Sequence, residues 1–301
     1  MSDSTEHSVR SQRARLALDG LSIGDGFGQR FFFPWVVESA TRDNLPEGPW
    51  HYTDDTEMAI GIVQILERHG SINEDELAVR LAARYANDPN RGYGGGAHEL
   101  LRQIAEGRPW RTASSELFEG QGSFGNGGAM RSAPIGAWFA DDIDATIDNA
   151  KRSAEVTHAH IEGQAGAIAV ALAAGWAWRW NESGRTESPL EMLSWTARHL
   201  PECELRCSVE RVATRSSDDW AFDIAREFGC GEQVTALDTV AYCLWLAASQ
   251  LDDYCEALWT AARVGGDVDT TCAIVGGIVS LAVGMKEIPQ QWRDHREPLS
   301  W

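Results

Sequence analysis

Apolar residues recur at helical spacing along most of this 301-residue chain. In residues 56–69, for example, Met58, Ile62, Ile65 and Leu66 share one face, and Gly70 follows as a helix-ending residue. Sustained alternation of apolar and polar positions, the pattern of a strand, is absent. The spacing predicts helices over 13–28, 56–69, 71–86, 97–107, 130–140, 143–158, 162–179, 189–200, 218–228, 235–250, 252–263 and 271–284.

The same pattern bears on domain organisation. No repeat of fixed period and no convincing Pro/Ser-rich linker divides the chain. We therefore expect an all-α protein, a compact single-domain orthogonal multi-helix bundle over residues 13–301. Residues 1–12 are polar, and we predict a disordered N-terminal tail there.

Composition narrows the class of protein. The chain carries 45 acidic and 26 basic residues, a net charge of −19, so it should repel nucleic acid non-specifically, although a modified nucleic-acid end stays open as a substrate. Six scattered cysteines lack a C-x-x-C pair, which favours free thiols in a reducing compartment. No signal segment or membrane-length apolar stretch stands out. We expect a cytoplasmic monomer without membrane contact.

Two acidic clusters carry the first candidate chemistry, residues 53–56 and residues 266–270. Their carboxylates and threonine hydroxyls are hard oxygen donors, which suit Mg²⁺, Mn²⁺ or Ca²⁺. Taken alone, Asp54-Asp55-Thr56 after Thr53 is also typical of a helix N-terminus. The second cluster precedes an apolar run predicted to be a buried helix, so its carboxylates need partners. If the fold joins the clusters, they form a central binuclear metal cleft.

Two glycine-rich stretches are the second candidate feature. Residues 120–131 have the glycine density that lets backbone N–H groups approach a diphosphate, but neither the Rossmann nor the P-loop spacing. Residues 91–96 form a similar stretch. Either stretch could instead be an ordinary flexible connection. His158 and His160 are poorly spaced for zinc; one could bond a ribose hydroxyl, or simply end a helix.

Taken together and in order, these stretches resemble the ADP-ribosylglycohydrolase family, over roughly residues 13–292. The matching landmarks are Gly24–Gly28, Thr53–Thr56, Arg91–Gly94, Gly122–Arg131, Thr157-His158 and Gly266–Thr270. The resemblance implies an all-α fold and two Mg²⁺ ions, sometimes Mn²⁺. It also implies hydrolysis of the bond between C1″ of ADP-ribose and a modified acceptor, a protein side chain or a nucleic-acid end.

The resemblance also implies roles for individual residues. Phe118 would stack on the adenine, His158 would bind the distal ribose, and Gly94, Gly95 and Gly96 would line the phosphates. The diphosphate and distal ribose would be cradled by Gly122, Ser123, Phe124, Gly125 and Asn126. The metal ligands would be Thr53, Asp54, Asp55, Asp267, Asp269 and Thr270, of which the four aspartates are also the catalytic candidates. The stretch from Phe118 to Asn126 looks closer to the branch acting on serine-linked and polymeric ADP-ribose.

One departure from the family pattern concerns the reacting bond. In the serine-linked branch a glutamate near the scissile bond follows the Gly-Asp-x-x-Gly motif, and here that position is Phe32. Gln29 is the nearest polar residue on that helical face and a fifth catalytic candidate, although glutamine cannot accept a proton as a general base. Glu38 is more remote, and Asp25, Asp54 and Asp267 are further candidates.

Two other functions stay open at the level of sequence. One is a non-catalytic ADP-ribose-binding protein of the same fold, which the substitution at position 32 would favour. The other is an enzyme acting on ADP-ribosylated arginine, a nucleobase or a terminal phosphate, including an immunity protein against an ADP-ribosylating toxin. The presence of all six metal-ligand candidates favours an enzyme over a binding protein.

Overall fold

Helices account for the regular structure of residues 3–301, the part of the chain that the computed structural model describes, and only isolated β-bridges occur between them. The all-α prediction is confirmed. The helices are α1 Asp3–Gln29, α2 Pro34–Ser39, α3 Asp54–His69, α4 Glu74–Asn87, α5 Gly95–Ala105, α6 Trp110–Gly120, α7 Gly127–Met130, α8 Ala133–Trp138, α9 Ile143–Glu155, α10 Ile161–Glu182, α11 Glu191–His199, α12 Glu204–Val212, α13 Ala221–Phe228, α14 Val240–Ser249, α15 Tyr254–Val264, α16 Val268–Val283 and α17 Gln290–His295, with 3₁₀ turns at Arg30–Phe32 and Met285–Glu287.

The centre of the fold is the crossing of α1 with α16. Both helices present small residues there, so their backbones approach closely. A Cβ atom on Gly24 would lie 2.2 Å from the carbonyl oxygen of Cys272, and one on Gly28 would lie 2.5 Å from that of Val268. Only glycine permits this spacing. The close crossing brings Asp25 of α1 against the acidic first turn of α16.

The structure corrects the predicted N-terminal tail. Helix α1 begins at Asp3 instead of residue 13, so the disorder predicted for residues 1–12 is wrong for residues 3–12, while residues 1 and 2 lie outside the described range. The extra turns are held by tertiary contacts: Ser11 donates to Glu67 of α3 at 2.6 Å, and the His7 ring packs edge-on against Trp138. A polar surface face is compatible with a docked helix.

The sequence patterns also missed helices α2, α6, α12 and α17, and the short helix α7 in the glycine-rich stretch. Helix α12 places Leu205, Val209 and Val212 on its buried face, and α6 occupies part of the predicted glycine-rich loop. Helix α6 is interrupted at Leu117–Glu119, where the backbone leaves the helical region. Across residues 3–301, no helix combines the length and apolarity that a membrane crossing requires. All six cysteines are unpaired.

Candidate active site

A cavity of about 430 Å³ lies where the N-termini of α3, α5 and α16 meet the glycine-rich stretch before α7. Most of the predicted site residues line it. They are Asp54, Asp55, Gly94, Gly95, Gly96, Phe118, Ser123, Phe124, Gly125, Asn126, His158, Asp267, Asp269 and Thr270. Apolar neighbours that the sequence reading did not identify, among them Met58, Leu100 and Met130, complete the wall.

The two acidic clusters meet at Asp55. Its Oδ2 atom lies 3.1 Å from the hydroxyl oxygen of Thr53 and 3.5 Å from that of Thr270, a residue 215 positions away. Its Oδ1 atom is buried and has no hydrogen-bond partner. The predicted convergence of the clusters is therefore present, with one carboxylate oxygen left unsatisfied.

Asp25 lies directly behind this meeting point. It is fully buried and accepts hydrogen bonds from the backbone N–H and the hydroxyl of both Thr53 and Thr56, at 2.5–3.1 Å. Thr53 is also the N-cap of α3, since its hydroxyl accepts from the N–H of Asp55. The capping interpretation is confirmed, and the capped helix start also contributes Asp54 and Asp55 to the wall of the cavity.

Ionisation of the carboxyl groups in this cluster is unfavourable. Burial, followed by repulsion from Asp25, raises the pKa of Asp54 to about 7, and burial raises the pKa of Asp25 to about 6. Burial also raises the pKa values of Asp55 and Asp269 well above the ordinary value, with neighbouring carboxylates adding to the effect. Carboxylates in such a site are neutral at moderate pH or require cations to ionise.

The donor set fits a hard divalent cation. The hydroxyl of Thr53 lies within hydrogen-bond distance of both Asp25 and Asp55, but its single proton can serve only one of them. The other contact requires a proton on the acid or a shared cation. In the described part of the chain, no three histidine, cysteine or acidic side chains already form a ligand cluster. The hydroxyls of Thr53 and Thr270, at 3.1 and 3.5 Å from Asp55, are further oxygen donors at this site.

The glycine-rich wall is braced by a loop that sequence reasoning missed. Residues 229–239 contact it through backbone bonds from Asn126 N–H to the Val234 oxygen and from Ala236 N–H to the Phe124 oxygen, at 3.2 and 3.0 Å. The Asn126 amide also donates to Asp267 at 2.7 Å, which joins this wall to the acidic floor. Gly122 does not line the cavity; a Cβ atom there would lie 2.7 Å from that of Ala159. Paired glycines at 229 and 231 predict a turn, but not its packing partner.

His158 is buried with a defined hydrogen-bond direction. Arg131 donates to the Thr157 hydroxyl at 2.9 Å, and that hydroxyl lies 2.7 Å from His158 Nδ1. The hydroxyl has one proton and two lone pairs, and when it donates that proton to Nδ1 the imidazole is left with Nε2–H as its donor. Burial lowers the pKa of His158 to about 3, so the ring stays neutral. Positions 125 and 127 need glycine, since a Cβ at either would lie within 3.4 Å of Nε2.

The opposite end of the cavity is aromatic. Phe118 has a left-handed backbone (φ 52°), and its side chain is 49% exposed, with its ring 5.7 Å from that of Phe124. Strain of this kind persists where the surroundings impose it and is common at binding sites. The first turn of α5, which begins at Gly95, lies beside the ring. Its free N–H groups and helix dipole favour an anion there.

The remaining candidates lie apart from the cavity. Gln29 is the last residue of α1, half-buried, and is not part of the cavity wall. Phe32 is 48% exposed in the following 3₁₀ turn, and Glu38 lies on α2 with an exposed side chain. None of these positions supplies a carboxylate to the acidic floor.

The all-α fold places an acidic, threonine-containing floor and a glycine-rich wall around one cavity, an arrangement that suits a divalent cation and an anionic ligand. The chain belongs to the ADP-ribosylglycohydrolase family, whose model matches residues 6–300. Its activity is accordingly hydrolysis of the linkage between ADP-ribose and an acceptor.

Individual relatives and a solved structure agree with this assignment. The chain is 30% identical to "ADP-ribosylhydrolase ARH3" of Xenopus tropicalis over 93% of its length and 90% of that protein. It is 28% identical to the Homo sapiens protein of the same name, covering 82% of this chain and 75% of that one. A solved "ADP-ribosylglycohydrolase-related protein complex" superimposes with a TM-score of 0.67 at 25% identity, covering 96% and 94% of the two chains.

Proposed function

We propose that the cavity binds ADP-ribose together with two Mg²⁺ ions, for which Mn²⁺ can substitute. The ions would be held by Thr53, Asp54, Asp55, Asp267, Asp269 and Thr270. The observation that carries this proposal is the environment of Asp55. Its Oδ2 atom is contacted by hydroxyls from both clusters, and its buried Oδ1 atom has no hydrogen-bond partner. A buried carboxylate without compensation is destabilising, and divalent cations relieve that cost.

The proposed substrate orientation follows the chemistry of the walls. The adenine would stack on Phe118, and the diphosphate would lie against the N-terminus of α5 and the glycine-rich wall from Ser123 to Asn126. His158 would donate its Nε2 proton to an oxygen of the distal ribose. C1″ would then face the acidic floor, beside Asp54 and Asp267.

In the proposed mechanism, cations at the floor would lower the pKa of a water and offset the carboxylate charge. Asp54 is the best candidate to take the proton of the attacking water, because it lines the cavity and no other described residue donates a hydrogen bond to its carboxylate. Asp25 has both oxygens engaged, and Gln29 lies outside the cavity wall. The acidic floor would also stabilise an oxocarbenium-like transition state.

We further propose a protein side chain as the acceptor, in a monomeric enzyme of the cytoplasm. The free state of all six cysteines supports a reducing compartment. A relative of Serratia proteamaculans, "ADP-ribosylarginine hydrolase Tri1", is 23% identical over 94% of this chain and 74% of its own, so an arginine linkage belongs among the acceptors to be tested.

The test is ADP-ribose release from serine-, arginine- and nucleic-acid-linked substrates, with Mg²⁺, with Mn²⁺ and with chelator. Release from one substrate, lost with chelator and in the double variant Asp267→Ala with Asp269→Ala, is the expected result. Asp252→Ala, at an exposed loop position outside the cavity, is the control. Native rates in the double variant would refute the ligand assignment, and ADP-ribose binding without release from any substrate would indicate a binding protein.

A further inference from the structure

A second and larger cavity, of about 770 Å³, lies beside the candidate active site. Its walls come from α12, α13 and the loop 229–238, and we call it the lateral groove. Gln233 and Thr235 line both the lateral groove and the active-site cavity, so a single stretch of loop separates the two. The lateral groove therefore adjoins the active-site cavity, with only this loop between them.

The separating loop joins the active-site cavity at its acidic end. Cys230, on the wall of the lateral groove, accepts a hydrogen bond at 3.1 Å from the N–H of Asp267. A Cβ atom on Gly231 would lie 2.4 Å from that of Asp267. The same loop also borders the aromatic part of the cavity, because the N–H of Ala236 donates to the oxygen of Phe124, whose ring lies beside that of Phe118. With C1″ at the acidic floor, as proposed above, the group attached to it would lie near the junction of the loop with Asp267.

The separating loop is held in a defined shape. Val234 has a left-handed backbone (φ 55°) that a β-branched residue rarely adopts, and it is half-exposed. Its oxygen accepts from Asn126 N–H, and Gln233 N–H donates to Asp238 at 2.7 Å. These bonds fix the strained conformation of the loop that lies between the two cavities.

The charges of the lateral groove select its occupant. Both of its arginines are neutralised within the protein, Arg211 by Glu227 at 2.9 Å and Arg226 by Asp223 at 2.7 Å. Glu204 and Glu232 also line it, are exposed, and form no ion pair with any described residue. The uncompensated charge is negative, in a chain whose net charge is −19. Such a surface attracts cationic segments and repels nucleic acid.

The rim adds an apolar contact. Phe222 lines the lateral groove at 42% exposure, and its ring lies 4.9 Å from that of Trp220, which is 65% exposed. Exposed aromatic pairs are frequent anchors for polypeptides. Acidic walls with an aromatic rim complement a peptide containing lysine or arginine.

We propose that the lateral groove binds the polypeptide that carries the ADP-ribose, and that it favours basic residues near the modified side chain. This inference rests on the proposed function of the neighbouring cavity. It makes Glu204 and Glu232 specificity-determining residues that act through KM. Because neither glutamate lines the active-site cavity, the chemical step depends on the residues described above.

The experiment compares three substrates with the linkage that the wild type cleaves: a peptide with lysines flanking the modified residue, the same peptide with glutamates there, and the single modified amino acid. The variant is Glu204→Lys with Glu232→Lys, and the charge-matched control is Asp252→Lys with Glu106→Lys, at two exposed acids outside both cavities. For the basic peptide we expect KM to rise about five- to tenfold in the variant with kcat unchanged. The KM for the acidic peptide should fall in the variant, and the KM for the single amino acid should stay the same.

Each alternative result has a definite meaning. Equal effects on all three substrates, no effect on the basic peptide, or faster release from a nucleic-acid end than from the peptides would overturn the proposed groove. Failure of the wild type on all three substrates would instead count against the proposed function. In that case the affinity of wild type and variant for the two unmodified peptides measures the groove directly, and equal affinities would refute it.

Discussion

The metal-free protein should lose stability as pH rises, because Asp54 is buried among carboxylates. Its folded-state pKa of about 7 lies above the ordinary 3.8, so folding favours the neutral acid. The resulting stability is fully present below about pH 4 and is lost as pH rises through about 7. Asp54→Asn keeps the side-chain shape and removes the charge, so the variant should not show this loss.

The magnitude follows from the shift. About three pKa units correspond to at most about 4 kcal/mol in the free energy of unfolding. For 301 residues, the unfolding entropy is about 0.6 kcal/mol per kelvin, so the difference in Tm between variant and wild type should grow by up to about 6 °C between pH 4 and pH 7.5. Other titrating groups are common to both proteins and cancel in the difference.

The assay is thermal unfolding in chelator across this pH range, with Asp252→Asn as the exposed control. Adding Mg²⁺ at pH 7.5 should raise the Tm of the wild type, by about 4 °C at a hundredfold excess over the dissociation constant, and raise that of Asp54→Asn less. Parallel pH curves for wild type and Asp54→Asn would show that the charge of Asp54 is not costly in the fold, and the reasoning from burial would be refuted.

Two further outcomes test the supporting structure. Thr157→Val removes the proton donor of His158 Nδ1, so ADP-ribose affinity measured by calorimetry should fall about 5- to 100-fold, with a changed ¹⁵N signature of the ring, and Thr157→Ser should restore both; unchanged affinity would exclude a positioning role. Gly28→Ala places a Cβ 2.5 Å from the Val268 backbone oxygen and should lower Tm by about 2–5 °C. Gly61→Ala should lower Tm less, because its nearest neighbour would be a side-chain methyl of Leu81 at 3.1 Å. Equal losses would contradict the close crossing of α1 and α16.

Local sequence patterns predicted a large part of this site. Residues 54–55 and 267–270 were identified because clustered carboxylates are visible in the chain. His158 was identified because it occurs in an ordered landmark, and Phe118 because the family resemblance implies its role. The patterns were less informative about neighbours: the loop 229–239 carries only paired glycines, and nothing local indicates that it bonds to Phe124 and Asn126. The tail predicted at residues 1–12 failed for the same reason, since its helix is stabilised by contacts with α3 and Trp138.

The sequence by itself determined the helical character, the acidic clusters and glycine-rich stretches, and the family to which the chain belongs, because these depend on residue type and spacing. Only the tertiary structure decided that Asp25 is a buried acceptor for Thr53 and Thr56, that Gln29 lies outside the cavity, and that a lateral groove adjoins the acidic floor. Those facts depend on which backbones approach across the α1–α16 crossing. Such approaches are set by packing between segments hundreds of residues apart, which local spacing does not encode.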